Sequence, residues 1–343
     1  MTLFADSIPA PEYRLDIGTV RGLKIDVLTE TGWFDDAVMK DTMMAYGGPA
    51  ASQYAVAWDR ENAGGYAALI TVTLADGDER RILLDTGWNT EWMDYVYARW
   101  GVDAMLTRGE IDMLVLSHWH LDHFWGIESA LKHDPRLKIL APGTAYPEDL
   151  ALLRERARHA ATDHDGRTVH LCGNAVPHEG ELVLTGPEGE DRSGVYRPFP
   201  GVAVKMFDVP ILLRVRGENV LYFDVADRGL VTVTGCGHPG VPAMLGAARG
   251  LGDGRLYGCY GGLHLSVFET WKPEFEDLIR EVRDLGMEKM GCNHCTGWLW
   301  AERAEREGLP IVKGTDRYRT YPKWSTAATG SHVFLANGDS VTF

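Results

Sequence analysis

The chain has 343 residues, enough for one large folded unit or two smaller ones, because a single hydrophobic core stops growing at about 250–300 residues. Its 34 basic and 49 acidic residues leave a formal charge of −15, which disfavours nucleic acid as a partner. Hydrophobic residues at 45% and charged residues at 24% exclude a disordered or collagen-like chain.

No apolar run approaches the ~20 residues of a bilayer span, so no membrane partner is expected. The first residues lack a basic segment followed by an apolar one, and five cysteines speak against a disulfide framework. A cytoplasmic protein is the expectation.

Strand-like alternation opens the fold at residues 23–29, and residues 66–88 read as two strands joined by a turn at Asp76-Gly77-Asp78. Helical spacing follows over 88–99, then a short buried strand over 111–118 that delivers His118 to its end. Residues 128–133 start a helix, 137–142 form a strand, and 147–161 read as a surface helix with a proline near its start. The stretch 162–200, rich in Gly, Pro and charged residues, reads as a lid-like insertion in which Asp163, His164 and Asp165 are solvated. Arg192, Arg197 and Lys205 are the nearest candidates for holding a phosphate.

Beyond it, residues 202–209, 211–235 and 255–262 read as strands, with a turn at Gly217-Glu218-Asn219 and with Asp224 and Asp227 as turn residues. Helices are expected over 241–249 and 273–284, and a closing hairpin at the end turns at Asn337-Gly338-Asp339. Strands and helices alternate, which predicts a layered α/β fold. With no repeat, linker or heptad run, residues 1–343 are expected to form a single domain, and a homodimer is plausible only on general grounds.

His118, His120, Asp122 and His123 fall within six residues. Imidazole nitrogens and a carboxylate are the ligands that zinc prefers, with manganese or iron as alternatives. Residues two apart on an extended segment face the same way, so His118 and His120 can grip one ion. Asp122 and His123, on the following turn, can reach a second, as two-metal hydrolytic sites require.

This H-x-H-x-D-H run, preceded by a strand ending in Asp85-Thr86-Gly87, resembles the signature of the metallo-β-lactamase superfamily. Three later stretches, Thr234-Gly235-Cys236-Gly237-His238, Gly261-Gly262-Leu263-His264-Leu265 and Cys292-Asn293-His294-Cys295-Thr296-Gly297, are similar to those of one branch. That branch includes 7,8-dihydropterin-6-methyl-4-(β-D-ribofuranosyl)-aminobenzene-5′-phosphate synthases. The likeness spans about residues 23–343, though 162–200 match poorly.

It implies an αββα sandwich of two mixed sheets flanked by helices, with the metal site at one edge and His238 and His294 completing the coordination. It also implies that Asp85 orients a metal-bound histidine. Cys236 stands where most of the superfamily carries a bridging aspartate; it is either a thiolate ligand or a small buried residue. His264 is a ligand, a hydrogen-bonding neighbour of one, or a substrate contact. Cys292 and Cys295 alone would suggest a redox pair or half a zinc site, whereas the resemblance favours His294 as the ligand with the cysteines in support.

Such a site predicts a dinuclear, metal-dependent hydrolase that attacks with a metal-bound hydroxide, which Asp122 holds and whose proton it relays. Two divalent ions, foremost Zn2+ with Mn2+ or Fe2+ as alternatives, are implied. Eleven tryptophans against ten phenylalanines is unusual, and Trp88, Trp119, Trp125, Trp298 and Trp300 all fall at these segments. They suggest an aromatic pocket for a small aromatic or heterocyclic substrate, with core packing as the alternative. A pterin-related ribofuranosyl-aminobenzene phosphate synthase-like enzyme and a non-catalytic metal-dependent binding or sensing module are the competing functions. No G-x-G-x-x-G follows a strand and no G-x-S-x-G elbow is present, so nucleotide cofactors and a serine nucleophile are not expected.

Overall fold

Period-two alternation in the strands sends successive side chains into different cores, and that sorting builds the layers. The computed structural model describes residues 14–31, 36–58, 65–154, 158–162, 168–186, 194–267, 270–315 and 333–343. β1 (Val20–Thr31), β2 (Gly65–Leu74) and β3 (Glu79–Leu84) form an antiparallel meander, with α1 (Asp36–Ala45) after β1. Ala68, Ile70, Val72, Ile82 and Leu84 face one core, while Ala67, Leu69 and Leu83 face another. The expected turn joins β2 to β3, with Gly77 at φ 98° donating its N–H to Leu74 O.

α2 (Thr90–Trp100), capped by the Asn89 side chain, and α3 (Val102–Thr107) lead to β4 (Met113–Val115), which pairs in parallel with β3. α4 (Leu121–Phe124) and α5 (Glu128–Leu131) precede β5 (Ile139–Pro142), parallel to β4. Beyond α6 (Pro147–Arg154), β6 (Arg158–Thr162) and β7 (Thr168–Gly173) make a separate antiparallel pair, and β8 (Leu182–Thr185) joins β5 in parallel.

A second half follows: β9 (Tyr196–Phe199), β10 (Val202–Pro210), β11 (Arg216–Val225) and β12 (Gly229–Thr234) are antiparallel. α7 (Val241–Ala248), β13 (Leu256–Gly261), α8 (Glu274–Asp284), β14 (Lys289–Cys292), α9 (Trp298–Arg306) and β15 (Ser340–Thr342) complete it. β12, β13 and β14 run parallel, as crossover helices require. The halves join where β1 meets β11 at Val20 and Val225.

Three apolar cores separate four layers. Leu23, Ile25 and Val27 of β1 pack with Leu221 and Phe223 of β11 and with Val231 and Val233 of β12 between the sheet halves. Trp92, Met93 and Val96 of α2 cover one outer face; Leu278 and Ile279 of α8 and Trp300 of α9 cover the other. This is the expected αββα sandwich.

Three local expectations are corrected. The helix expected over 147–161 ends at Arg154, because residues 158–162 pair with β7 instead, sheet pairing overriding the helical propensity of the Arg- and Ala-rich run. Gly217-Glu218-Asn219 is not a turn but the start of β11; the chain turns earlier, at Leu213 and Arg214, which take φ 61° and 60°. Asn219 is buried there, donating to Leu116 O and accepting from the Thr185 hydroxyl, so its turn-like composition serves the interior. The last segment does turn at Gly338, but β15 pairs with β1, placing Val341 opposite Ile25, rather than closing a hairpin with the residues before it.

Of the stretch 162–200, Leu182–Thr185 extends the sheet and Tyr196–Phe199 lies beside β10, while Asp163, His164, Asp165 and Arg192 lie outside the described residues. Asp227 holds φ 62° in the turn between β11 and β12, whereas Asp224 lies within β11 rather than in a turn. Among the described residues no helix is long and apolar enough to cross a membrane.

Trp300 is fully buried beneath α7 and α8. Trp300→Ala should therefore lower stability by about 3–5 kcal/mol, read by denaturant unfolding. A loss below about 1 kcal/mol would contradict this placement.

Candidate metal centre

The chemistry-bearing side chains gather where strands end. β3 delivers Asp85, β4 delivers Ser117 and His118, β12 delivers Cys236 and His238, β13 delivers His264, and β14 delivers His294. Three of these residues, Asp85, His264 and His294, hold left-handed backbone at φ 60°, 47° and 46°, a conformation that side-chain-bearing residues rarely adopt. Strain concentrated at one edge marks a site that the surrounding packing holds in place.

Hydrogen bonds fix the ring nitrogens one by one. The buried Asp85 carboxylate accepts from the Ser117 N–H at 2.6 Å, from the Ser117 hydroxyl at 2.7 Å and from His123 Nδ1 at 2.7 Å. Since the Ser117 proton points at Asp85, its oxygen accepts from His118 Nδ1 at 2.9 Å. His120 Nε2 donates to Leu212 O at 3.0 Å, and His238 Nδ1 donates to Glu218 Oε2 at 2.8 Å. His118 Nε2, His120 Nδ1, His123 Nε2 and His238 Nε2 are left as bare acceptors turned toward one another.

His118 Nε2 and His120 Nδ1 face each other at 3.0 Å although both of their protons are committed elsewhere. Two lone pairs at that distance repel unless they share a cation, and His238 Nε2 is buried with no hydrogen-bond partner among the described residues. The donor set thus fits a metal. His118, Cys236 and His238 form one group whose ligand atoms lie within 4.8 Å of one another; His123, Cys236 and His294 form a second, and Cys236, His264 and Cys295 a third. Asp122 belongs beside the second, its Oδ2 lying 3.8 Å from His123 Nε2 and 3.7 Å from His294 Nε2.

Burial and the neighbouring imidazoles hold His118 and His123 well below the usual histidine range, and burial carries His120 down to about 3, so these rings are neutral and ready to ligate. Burial lifts Asp122 to about 7 and pushes the Cys236 thiol up. His294 differs: burial opposes its charge, but the Cys295 sulfur, Asp122 and Glu30 outweigh it and raise the ring to about 9.

Glu218, absent from the sequence-based candidates, is the strongest support of the second half. Burial would raise its pKa, yet the His238 ring and backbone N–H groups overcome that and leave it at about 2. Its oxygens accept from the N–H groups of Cys236, Gly237 and His238 at 3.0, 2.8 and 2.8 Å, besides the Thr234 hydroxyl. Gln53 braces the other half, donating to Trp119 O at 2.6 Å and accepting from Leu121 N–H at 3.0 Å. Gly217-Glu218-Asn219 reads as a turn in the sequence, so nothing local marks Glu218, and nothing local marks Gln53.

Cys292 and Cys295 are not a redox pair. Cys292 belongs to the core under the outer helices, while Cys295 joins Cys236 and His264. The tryptophans expected near this centre make the following contacts. Trp119 donates its indole N–H to Pro142 O in the core, Trp125 packs edge-on against Trp88 at 4.6 Å, Trp300 is buried, and Trp298 stacks on Phe334 at 4.1 Å. Arg197 lies on β9, and Lys205 on β10 sits over the Phe207 ring.

Comparison with known proteins now adds to this geometry. The model of the metallo-beta-lactamase superfamily matches residues 65–244. The chain belongs to this superfamily. It is 24% identical over 296 residues to the 7,8-dihydropterin-6-methyl-4-(beta-D-ribofuranosyl)-aminobenzene-5′-phosphate synthase of Methanocaldococcus jannaschii, covering 83% of this chain and 91% of that one. An atrochrysone carboxyl ACP thioesterase of Pseudocercospora fijiensis is 28% identical over 121 residues, which is 34% of this chain and 35% of the thioesterase. Among solved structures, a metal-dependent hydrolase of the beta-lactamase superfamily aligns with a TM-score of 0.51 at 16% identity, covering 84% and 93% of the two chains. That likeness shows the fold.

Two outcomes follow for this metallo-β-lactamase-fold chain. Glu218→Gln removes the charge that orients His238, and zinc affinity should drop about 10–100-fold in a chelator competition. His294 carries a proton in the metal-free site below about pH 9 and must lose it to ligate. Zinc affinity should therefore rise at least about tenfold per pH unit from pH 7 toward 9, with proton release on a pH-stat; a flat profile would exclude His294 as a ligand.

Proposed function

We propose that the chain is a metal-dependent hydrolase acting on a small molecule, with His118, His120 and His238 around one ion and Asp122, His123 and His294 around the other. The observation that carries this reading is the set of imidazole acceptors turned inward in two neighbouring groups, each backed by a buried carboxylate. Two divalent ions bound there would supply an activated water near neutral pH and stabilise developing negative charge on the substrate.

The chain's own residues do the rest. Asp85 and Glu218 fix the tautomers of His123 and His238, so these rings present Nε2 without reorganising. Asp122 stands at the rim, with 15% of its side chain exposed, where its carboxylate can hold the attacking water and pass on its proton. Leu212 O anchors His120 from the loop before β11, holding its Nδ1 inward.

A synthase-like activity is the second reading, favoured by the relative from Methanocaldococcus jannaschii, which is matched over 91% of its length. An aromatic substrate draws no support from the tryptophans, which pack in the core or on a neighbouring phenylalanine.

Zinc-loaded protein should hydrolyse at least one generic reporter among an ester, a lactone and a phosphodiester. His120→Ala should reduce that rate by more than about 100-fold, with metal content falling in parallel. Equal rates in the two proteins, or metal uptake with no turnover of any reporter, would instead favour a synthase or a binding module.

A further inference from the structure

Cys236 occupies a singular position. Its Sγ lies within 4.8 Å of the ligand nitrogens of His118 and His238 and equally within 4.8 Å of those of His123 and His294. Among the described residues no other side chain belongs to both groups. The Asp122 carboxylate is on the His123–His294 side, and the carboxylates of Asp85 and Glu218 are taken up by hydrogen bonds behind the rings.

The residue is also held in place. Its backbone N–H donates to Glu218 at 3.0 Å, its side chain is buried, and Gly235 before it packs against Ser117 so closely that a Cβ there would stand 2.3 Å from the hydroxyl oxygen. The turn that carries His238 thus also fixes the backbone of Cys236, and burial confines its side chain.

We propose that the Cys236 thiolate bridges the two metal positions, so that this centre is sulfur-bridged and selects thiophilic ions such as zinc over manganese. The inference rests on the dinuclear reading above and deepens it. A thiolate sulfur has lone pairs enough for two cations, and sulfur favours zinc where oxygen ligands favour manganese. On binding, the thiol proton passes to solvent and two sulfur–metal bonds form; no electrons are exchanged. His264 Nδ1 lies 3.6 Å from the sulfur and Cys295 groups with both, which makes Cys295, among the described residues, the competing source of sulfur.

X-ray absorption at the zinc edge, on protein loaded with two zinc ions, distinguishes the arrangements by counting. A bridge gives every zinc a sulfur neighbour, so the average should be about one sulfur per zinc at about 2.3 Å; a terminal cysteine gives about half that. Cys295→Ser should leave the count unchanged. Cys236→Asp, which offers a carboxylate at the same place, should still bind two ions, lose the sulfur signal, and shift zinc–manganese competition at least about tenfold toward manganese.

Two bound zinc ions with half a sulfur each, or none, would overturn the bridge while leaving the dinuclear centre standing. Loss of the signal in Cys295→Ser would assign the sulfur elsewhere and overturn it too. Uptake of fewer than two ions by the wild-type protein would overturn both readings. Should Cys236→Asp fail to fold, the wild-type count and the Cys295→Ser count decide the question unaided.

Discussion

The centre depends on how closely the two halves of the sandwich approach at one glycine. Gly235, at the end of β12, lies against the Ser117 hydroxyl and the Asp85 carboxylate, where any Cβ would fall 2.3 Å and 2.8 Å from their oxygens. Ser117 and Asp85 belong to the first half and Gly235 to the second. That contact sets the separation between His118 and His123 on one side and Cys236 and His238 on the other. Any larger residue at 235 would push the groups apart or break the Ser117–Asp85 bonds that fix two tautomers.

Around this contact the polar interior is organised by two carboxylates, one from each half. Burying a carboxylate is costly unless its lone pairs are used, and each is satisfied by a different means. Asp85 relies on one serine and one histidine; Glu218 relies mainly on three consecutive backbone N–H groups, which need no particular side chain. Fold and site are thus not separable. The strand-end turn that positions His238 is itself folded around the acid that orients His238.

What was legible in the sequence follows from what is local. His118, His120, Asp122 and His123 are read from their spacing, because one strand end and one helical turn carry them all. The layered fold is legible from alternation, since each strand divides its side chains between two cores. Glu218 was hidden by composition: Gly-Glu-Asn resembles a turn, and only burial from both sides reveals a strand. The grouping of Cys295 with Cys236 and His264 was hidden by distance, since those two arrive from other strands.

Trp119 shows how strand alternation separates sequence neighbours. Trp119 lies between two residues that face the centre on an extended segment, so its own side chain must point the opposite way, into the core. On that extended segment, adjacency to two site residues argues against a place in the site for Trp119 itself.

The division of the candidate ligands between the halves bears on biogenesis. His118, His120, Asp122 and His123 arise before β5, whereas Cys236, His238, His264 and His294 arise after β11. During synthesis the first set emerges without its counterpart, able to offer an ion only part of a coordination shell. A chain that has docked its second half against the first completes the shell, and one that has misdocked does not. An ion seated between the halves would then report correct assembly, and its retention would separate finished molecules from those still searching for their partner sheet.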